Sequence, residues 1–197
     1  RQVKASYWTY ICFIGSGVAN RIKFFNRLVP YLQKKKVFIA GGSWNRMRRY
    51  SKLRSSIRLS GVAADTAVNY YNGARIVINL HRQSDGAGGP LPLPPQSVNP
   101  RTFEINACAA LQLTDIRADL PSLYSPGHEI ATFASAEECL TKLDYYLHHE
   151  EERLEVALAG YRATRVSHTY EQRIDVLLNI VLSSHGMRRG VSGETCG

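Results

Sequence analysis

The sequence predicts an α/β protein: a Rossmann-like, doubly wound parallel sheet with helices on both faces and a helical C-terminus. Two observations lead to this class. Short apolar runs alternate with segments of helical spacing along the chain, and most of the runs are hydrophobic throughout rather than at every second position. Strands buried on both faces have this pattern, as in a parallel sheet covered by helices. Such sheets bind ligands beyond the carboxyl ends of their strands.

The first half of the chain contains a β-α-β unit. Residues 10–14 predict a strand that ends at Gly15-Ser16-Gly17, and residues 20–32 have apolar side chains at helical spacing, with Asn20 as a candidate N-cap. Residues 37–40 predict the second strand. After a basic, irregular stretch over 43–56, residues 57–59 predict a weak third strand.

The second half continues the alternation and ends in helices. Predicted helices cover residues 65–74, 101–110, 136–148, 150–165 and 170–182, and predicted strands cover 75–80, 111–114 and 130–133. Glycine and proline exclude regular structure over 84–98. We expect one domain over residues 1–184, because 197 residues suffice for one α/β domain but not for two. Residues 185–197 are polar and rich in glycine, which predicts a flexible tail.

Composition sets the broad class. Hydrophobic residues make up 44% and charged residues 21% of the chain, as in an ordinary globular protein. No stretch approaches the roughly 18 apolar residues that span a bilayer, so we expect no transmembrane segment. The four cysteines, Cys12, Cys108, Cys139 and Cys196, lack a C-x-x-C spacing. We interpret them as unreactive thiols of a reducing compartment, which predicts a cytoplasmic protein.

Charge is distributed unevenly. Residues 1–64 hold 14 Lys or Arg and no acidic residue, whereas residues 65–197 hold 11 Lys or Arg and 16 Asp or Glu. A basic half favours an anionic ligand or a polyanionic partner. The aromatic residues Trp8, Tyr10, Trp44 and Tyr50 could stack on bases, which keeps a nucleic-acid-binding module as an alternative. Because no helix-turn-helix, RRM or OB pattern accompanies them, nucleic acid is a less favoured partner.

Gly15-Ser16-Gly17 matches the start of a G-x-G-x-x-G phosphate-binding turn. Small residues there allow a phosphate to approach the N-terminus of a helix. The third glycine position holds Asn20, and no acidic residue occurs before Asp65, which argues against an NAD-dependent dehydrogenase. An NADP enzyme that uses Ser43 and Arg46 remains open, as does a turn without ligand.

The segment Asn99-Pro100-Arg101-Thr102-Phe103-Glu104 is a second candidate site. Proline suits the start of a helix, and Arg101 and Glu104 share one helix face. The pair could be a surface ion pair. Alternatively, Arg101 and the helix N-terminus could hold a diphosphate while Glu104 accepts hydrogen bonds from two ribose hydroxyls. By contrast, His148-His149 before Glu150-Glu151-Glu152 indicates a solvated helix junction, and we expect no metal site.

Four segments resemble the spore maturation protein CgeB-like family, which belongs to the "glycosyl transferases group 1" set with the GT-B fold. They are residues 70–82, 99–104, 113–115 and 168–173, and the likeness covers about residues 10–182. The resemblance implies the C-terminal, donor-binding half of a two-domain glycosyltransferase, whose N-terminal acceptor domain is absent from this chain. It implies a nucleoside diphosphate sugar as substrate, no cofactor and an acceptor of unknown identity.

The resemblance also implies roles for particular residues. Glu104 is expected to bind the ribose, and Ser60 and Gly61 to frame the nucleobase. The residues expected near the diphosphate and in the same cleft are Gly15, Ser16, Gly17, Arg21, Asn79, His81, Arg101 and Thr102. Many relatives carry a sugar-binding glutamate eight positions before the ribose-binding one, and here that position is Gln96. A degenerate domain retained for protein contacts therefore remains an alternative.

The family also implies a mechanism. Helix N-termini and basic side chains, rather than a metal, would stabilise the charge that develops on the departing diphosphate. Since the acceptor and any general base would come mainly from the other domain, we expect this chain alone to bind nucleotide but to turn over little.

Overall fold

The fold is a six-stranded parallel sheet with helices on both faces, which confirms the predicted class. The computed structural model describes residues 3–83 and 96–189, with side chains described as far as residue 183. The strands are β1 (Thr9–Ile14), β2 (Val37–Ala40), β3 (Ile57–Arg58), β4 (Ala74–Asn79), β5 (Leu111–Asp115) and β6 (Ala131–Phe133). The helices are α1 (Ala19–Leu32), α2 (Tyr50–Leu53), α3 (Ala64–Gly73), α4 (Arg101–Ala107), α5 (Ala136–His148), α6 (Glu150–Ser167) and α7 (Tyr170–Arg189).

The order of the strands places a crevice at the centre of the sheet. The order is β3-β2-β1-β4-β5-β6, and every pair of neighbours is parallel. From β1 the chain first adds strands toward one edge of the sheet, β2 and then β3, and afterwards toward the other edge, starting with β4. The two central strands β1 and β4 pair through Thr9–Ala74, Ile11–Ile76 and Cys12–Val77. In doubly wound sheets the crevice at this reversal, beyond the carboxyl ends of the strands, is where ligands bind.

The two faces of the sheet bury separate hydrophobic clusters. Phe13 of β1 packs on the face that α1, α5 and α6 cover, whereas Cys12 and Ile14 pack on the face that α3 and α4 cover. Phe25 of α1 and Tyr71 of α3 are nearly or fully buried on opposite faces. Because neighbouring residues of a strand point to opposite faces, both clusters need the continuous apolar run that the sequence shows.

Several element boundaries differ from the sequence prediction, most of them by one or two residues. Asn20 is not an N-cap, because α1 begins at Ala19 with Val18 as its N-cap. Helix α4 ends at Ala107 instead of residue 110, because Ala109 adopts a left-handed conformation (φ 53°) that ends the helix. The third strand is Ile57–Arg58 and excludes residue 59.

Some predictions fall partly or wholly on undescribed residues. The irregular segment 84–98 lies outside the described residues over 84–95, and the predicted tail does so from residue 190. Helix α7 extends to Arg189, so the described part of that tail is helical. Cys196 also lies outside, whereas burial raises the pKa of the Cys12 and Cys139 thiols and raises that of Cys108 to about 11.

Candidate functional site

The turn after β1 lies at the central crevice and packs closely against its surroundings. Ser16 is exposed, whereas Gly15 and Gly17 are buried. A Cβ on Gly15 would lie 2.9 Å from Nη1 of Arg21, and one on Gly17 would lie 3.0 Å from the ring of Trp44. The glycines therefore allow the turn to pack on these two side chains, and Ser16 is the residue of the turn that faces solvent.

Arg21 connects the turn to the end of β4. The residue is 6% exposed; its Nε donates to the carbonyl of Leu80 at 2.9 Å and its Nη1 to the carbonyl of Ser16 at 3.2 Å. Burial, followed by the nearby charge of Arg101, lowers the pKa of Arg21 to about 10. Among the described residues, no carboxylate lies within ion-pair distance of this guanidinium. Arg21 is thus a buried cation beside a second cation, at the start of α1.

Asn79 organises a buried amide network between β4, β5 and α4. Its Nδ2 donates to Oε1 of Gln112 at 2.7 Å and to Oγ1 of Thr102 at 3.1 Å. Its Oδ1 accepts from Nδ2 of Asn99 at 2.9 Å. Gln112 in turn donates to Oδ1 of Asn106 at 2.9 Å. Asn79 and Thr102 therefore hold α4 on the sheet, because their polar groups are engaged within the protein.

His81 and Asp115 extend this network across the carboxyl edge. Oδ1 of Asp115 accepts from Nδ1 of His81 at 2.6 Å and from its backbone N–H at 2.9 Å, and Oδ2 pairs with Arg117. Burial raises the pKa of Asp115, but the bonds from His81 and the charge of Arg117 outweigh it, so the net pKa is lowered. Nε2 of His81 accepts from the N–H of Asn99 at 2.9 Å. Nδ1 thus fixes the ring on Asp115, and Nε2 holds the loop before α4.

The first turn of α4 is satisfied from within the chain. Oδ1 of Asn99 accepts from the N–H of Thr102 at 3.2 Å, and the carbonyl of Pro100 accepts from Phe103 and Glu104. This local capping explains why an Asn-Pro pair precedes the helix. At the start of α4, an anion would therefore bind mainly to the Arg101 side chain, because the next three backbone N–H groups already have partners.

Arg101 and Glu104 do not form the surface ion pair that their spacing allowed. Both charges instead act on Tyr71 of α3, whose pKa is raised mainly by burial. The positive charge of Arg101 opposes this rise in pKa, and the negative charge of Glu104 adds to it. The Glu104 side chain is exposed. It lines a cleft of about 610 Å³ between α4 and the α6–α7 junction, together with Phe103 and Arg173. Its carboxylate is thus accessible beside a cleft.

Ser60 and Gly61 follow β3 at the same edge of the sheet. Both are exposed, and Oγ of Ser60 accepts from Nε of Arg58 at 2.9 Å. A Cβ built on Gly61 would meet no atom within 4 Å. The segment therefore leaves open space on its own side of the crevice.

The sequence placed Asn99 and Asp115 at this edge but assigned them no role, and it did not mark Asn106, Gln112 or Arg117 as residues of the site. Together with Asn20, these polar residues hold the elements of the site in place. Asn20 donates to the carbonyl of His81 at 2.9 Å instead of capping its helix. Gln112 and Thr114 carried a signal, because polar side chains interrupt an otherwise buried strand. A polar residue in a doubly buried strand requires partners, and here the partners lie on α4 and β4.

The described part of the chain lacks both a metal-binding cluster and a membrane-spanning helix. No group of three or more His, Cys, Asp or Glu residues there could hold a metal ion. No helix there combines the length and apolar character needed to cross a membrane.

The fold and the crevice define a class, the C-terminal domain of a GT-B protein. The C-terminal domain of a group 1 glycosyl transferase (LpcC) from Francisella tularensis matches with a TM-score of 0.55 and 15% identity, covering 82% of this chain and 87% of that one. Anabaena HepE, solved in complex with UDP-glucose, matches with a TM-score of 0.63 and 10% identity, covering 89% of this chain and 49% of that one.

The chain belongs to the glycosyl transferase-like family, whose pattern matches residues 21–179. It is also 32% identical over 174 residues to spore protein CgeB of Bacillus subtilis strain 168, covering 85% of this chain. The resemblance to CgeB-like proteins is therefore confirmed, and the family gives no support to the dehydrogenase alternative. The chain spans about half of that relative, 52% of its length.

Proposed function

We propose that this chain binds a nucleoside diphosphate sugar at the carboxyl edge of the sheet and, with a second domain, transfers the sugar to an acceptor hydroxyl. The observation that carries the proposal is the arrangement of charge at the reversal point of the sheet. Arg101 lies close enough to Arg21 for its charge to lower the pKa of Arg21, and Glu104 remains accessible on the next turn of the same helix as Arg101. Two cations followed by a carboxylate match a diphosphate followed by a ribose.

The diphosphate would lie between the start of α1 and the Arg101 side chain. Helix α1 has 14 residues, no acidic residue in its first turn and no side-chain cap. Its N-terminus is therefore an uncompensated positive end, which favours an anion. Ser16 faces solvent in the turn that leads into it. The buried guanidinium of Arg21 supports the turn from behind and adds its charge.

The ribose would bind Glu104, and the nucleobase would lie toward Ser60 and Gly61. A carboxylate offers two acceptor oxygens side by side, as a vicinal diol requires. The open space beside Gly61 leaves room for a planar base without moving backbone. In this proposal Asn79, His81 and Thr102 act as positioning residues, since their polar groups already hold α4 in place.

The same cations would act in the transfer step. As the bond from the sugar to the diphosphate breaks, negative charge builds on the departing phosphate oxygens. Preorganised donors directed at such charge contribute about 3 kcal/mol each. We propose that Arg21, Arg101 and the start of α1 supply this stabilisation without a metal. The transferred group, a hexose in this proposal, would lie toward Gln96, which is exposed at the loop before α4.

A second domain would complete the enzyme. Helix α7 exposes apolar side chains, among them Ile174 (51% exposed), Leu177 (58%) and Ile180 (63%). Exposed apolar surface of this extent marks a contact site. Because the chain spans about half of its curated relative, we propose that the remaining half supplies the cover for α7, the acceptor site and any general base.

Calorimetric titration of the chain with UDP, GDP, ADP and dTDP tests the proposal. We expect one nucleotide to bind and Glu104→Ala to weaken it about tenfold to a hundredfold, since two hydrogen bonds to a charged acceptor are lost. Glu151→Ala, which removes an exposed carboxylate from α6, is the matched control and should bind like the wild type. Absence of binding by all four nucleotides would overturn the proposal, as would equal losses in the two variants.

Turnover distinguishes the remaining alternatives. We expect the chain alone to bind nucleotide and transfer little sugar, and robust transfer by the 197 residues would contradict the need for a second domain. Tight, salt-sensitive binding of DNA or RNA without nucleotide binding would favour the nucleic-acid module. Of the four aromatic residues considered for that module, however, Trp44 is fully buried.

A further inference from the structure

A second pocket opens at the amino-terminal edge of the sheet, opposite the proposed donor site. It has a volume of about 540 Å³ and lies where β1, β4 and β5 begin. The first turn of α6 forms another wall. Strand β4 spans six residues between the two edges, or roughly 20 Å at about 3.3 Å per residue. The two sites are therefore separate, and the inference that follows does not depend on the proposed function.

Charged side chains in the pocket are mainly basic. Lys36, Arg75 and Arg153 line it together with one carboxylate, that of Glu150. Nη2 of Arg75 lies 3.2 Å from Oε2 of Glu150, and Nη2 of Arg153 lies 3.4 Å from Oε1 of the same residue. One carboxylate thus holds two guanidinium groups side by side. The four charges leave a net charge of two positive units.

Arg153 has hydrogen-bonding capacity that the described residues do not satisfy. Its side chain is 9% exposed, and its Nη1 donates to the carbonyl of Arg75 at 3.1 Å. Its Nε is buried and has no partner among the described residues, and the same holds for Oγ1 of Thr9 at the start of β1. Buried polar groups without a partner are rare in native proteins, and an ion is one of the partners that such groups can take. An anion bound next to this guanidinium would offset the free-energy cost of burying its positive charge.

Aromatic rings border the same pocket. Trp8 is 59% exposed and Tyr10 43% exposed. The guanidinium of Arg75 lies over the ring of Tyr10, at 5.4 Å from the centroid. The indole of Trp8 has no stacking partner among the described residues. Trp8 therefore presents an exposed aromatic face next to the cations, and a planar or sugar ring can stack on such a face.

We propose that this pocket binds a phosphate monoester carried on a ring. A phosphate monoester has a charge close to −2 at neutral pH, which matches the net charge of the pocket better than a carboxylate does. Guanidinium groups bind phosphate oxygens through paired hydrogen bonds, and two of them are fixed here by Glu150. The ring would lie on Trp8. A sugar phosphate and a nucleoside monophosphate share this chemistry.

Titration of the chain with glucose 6-phosphate and with AMP tests the proposal and distinguishes the two sources. Binding is followed by calorimetry and by tryptophan fluorescence, and Trp8→Ala separates the signal of the exposed Trp8 from that of the fully buried Trp44. At least one of the two compounds should bind saturably and change the fluorescence. Arg75→Gln and Trp8→Ala should each weaken that binding at least tenfold.

Arg27→Gln is the matched control, because Arg27 forms a comparable exposed ion pair with Glu137 away from the pocket. It should leave the binding unchanged, and glucose without phosphate should bind at least tenfold more weakly than its 6-phosphate. The proposal fails if neither monoester binds saturably, or if Arg27→Gln weakens the binding as much as Arg75→Gln does. It also fails if inorganic phosphate binds as tightly as the monoesters, or if a single-stranded oligonucleotide binds tenfold tighter than AMP.

Discussion

Asp115→Asn should destabilise the chain strongly. The wild-type carboxylate accepts two hydrogen bonds from His81 and pairs with Arg117 at a buried position. An amide of the same shape keeps one acceptor oxygen but turns an NH₂ group toward the guanidinium. The loss of a charge-assisted hydrogen bond and the burial of two facing donors should together lower the free energy of unfolding by about 3 kcal/mol.

Urea denaturation of the two proteins across pH measures this effect. Because the pKa of Asp115 is lower in the folded than in the unfolded chain, its ionised carboxylate stabilises the fold above about pH 4, the ordinary pKa of an unfolded aspartate. This stabilisation is lost as the pH falls through the folded pKa. The difference between wild type and variant should therefore be about 3 kcal/mol at pH 7 and shrink on acidification. A difference below 1 kcal/mol at pH 7, or one that does not depend on pH, would refute the reasoning.

Three further predictions follow from the packing. Gly160→Ala places a Cβ 2.2 Å from the carbonyl of Glu129 and should lower the free energy of unfolding by about 2 kcal/mol, whereas Gly42→Ala meets open space and should change it little, as denaturant melts can show. Ala109→Gly should raise the unfolding free energy by up to about 1 kcal/mol in the same assay, because glycine adopts the left-handed conformation more easily. Cys108 should react slowly with a thiol reagent at pH 8 and faster toward pH 11, since its pKa is about 11.

Much of the fold could be predicted because the sheet is buried on both faces. The strands β1, β2 and β4 each contain a continuous apolar run, and β5 is buried although it carries polar residues. The carboxyl ends of these parallel strands meet at one edge of the sheet whatever the details of the helices. Helix ends were less predictable where backbone conformation decided them. Nothing in the sequence around Ala109 marks a left-handed residue, because glycine is the usual signal for that conformation.

The position of the candidate site could be predicted from the sequence, but the sequence could not show which of its residues are buried supports and which are accessible to a ligand. The resemblance pointed to Asn79, His81 and Glu104 alike. In the structure Asn79 and His81 are buried and engaged within the protein, whereas Glu104 is accessible. The partners that make this difference, Asn99 and Gln112, come from segments 20 or more residues away from Asn79. Such pairings depend on the tertiary fold and have no local pattern.

A crystal structure of the chain with UDP would test the central proposal most directly. The proposal predicts both ribose hydroxyls within about 3 Å of the Glu104 carboxylate oxygens and the diphosphate between the start of α1 and the Arg101 side chain. A UDP molecule bound elsewhere, with the Glu104 carboxylate still facing solvent, would contradict it.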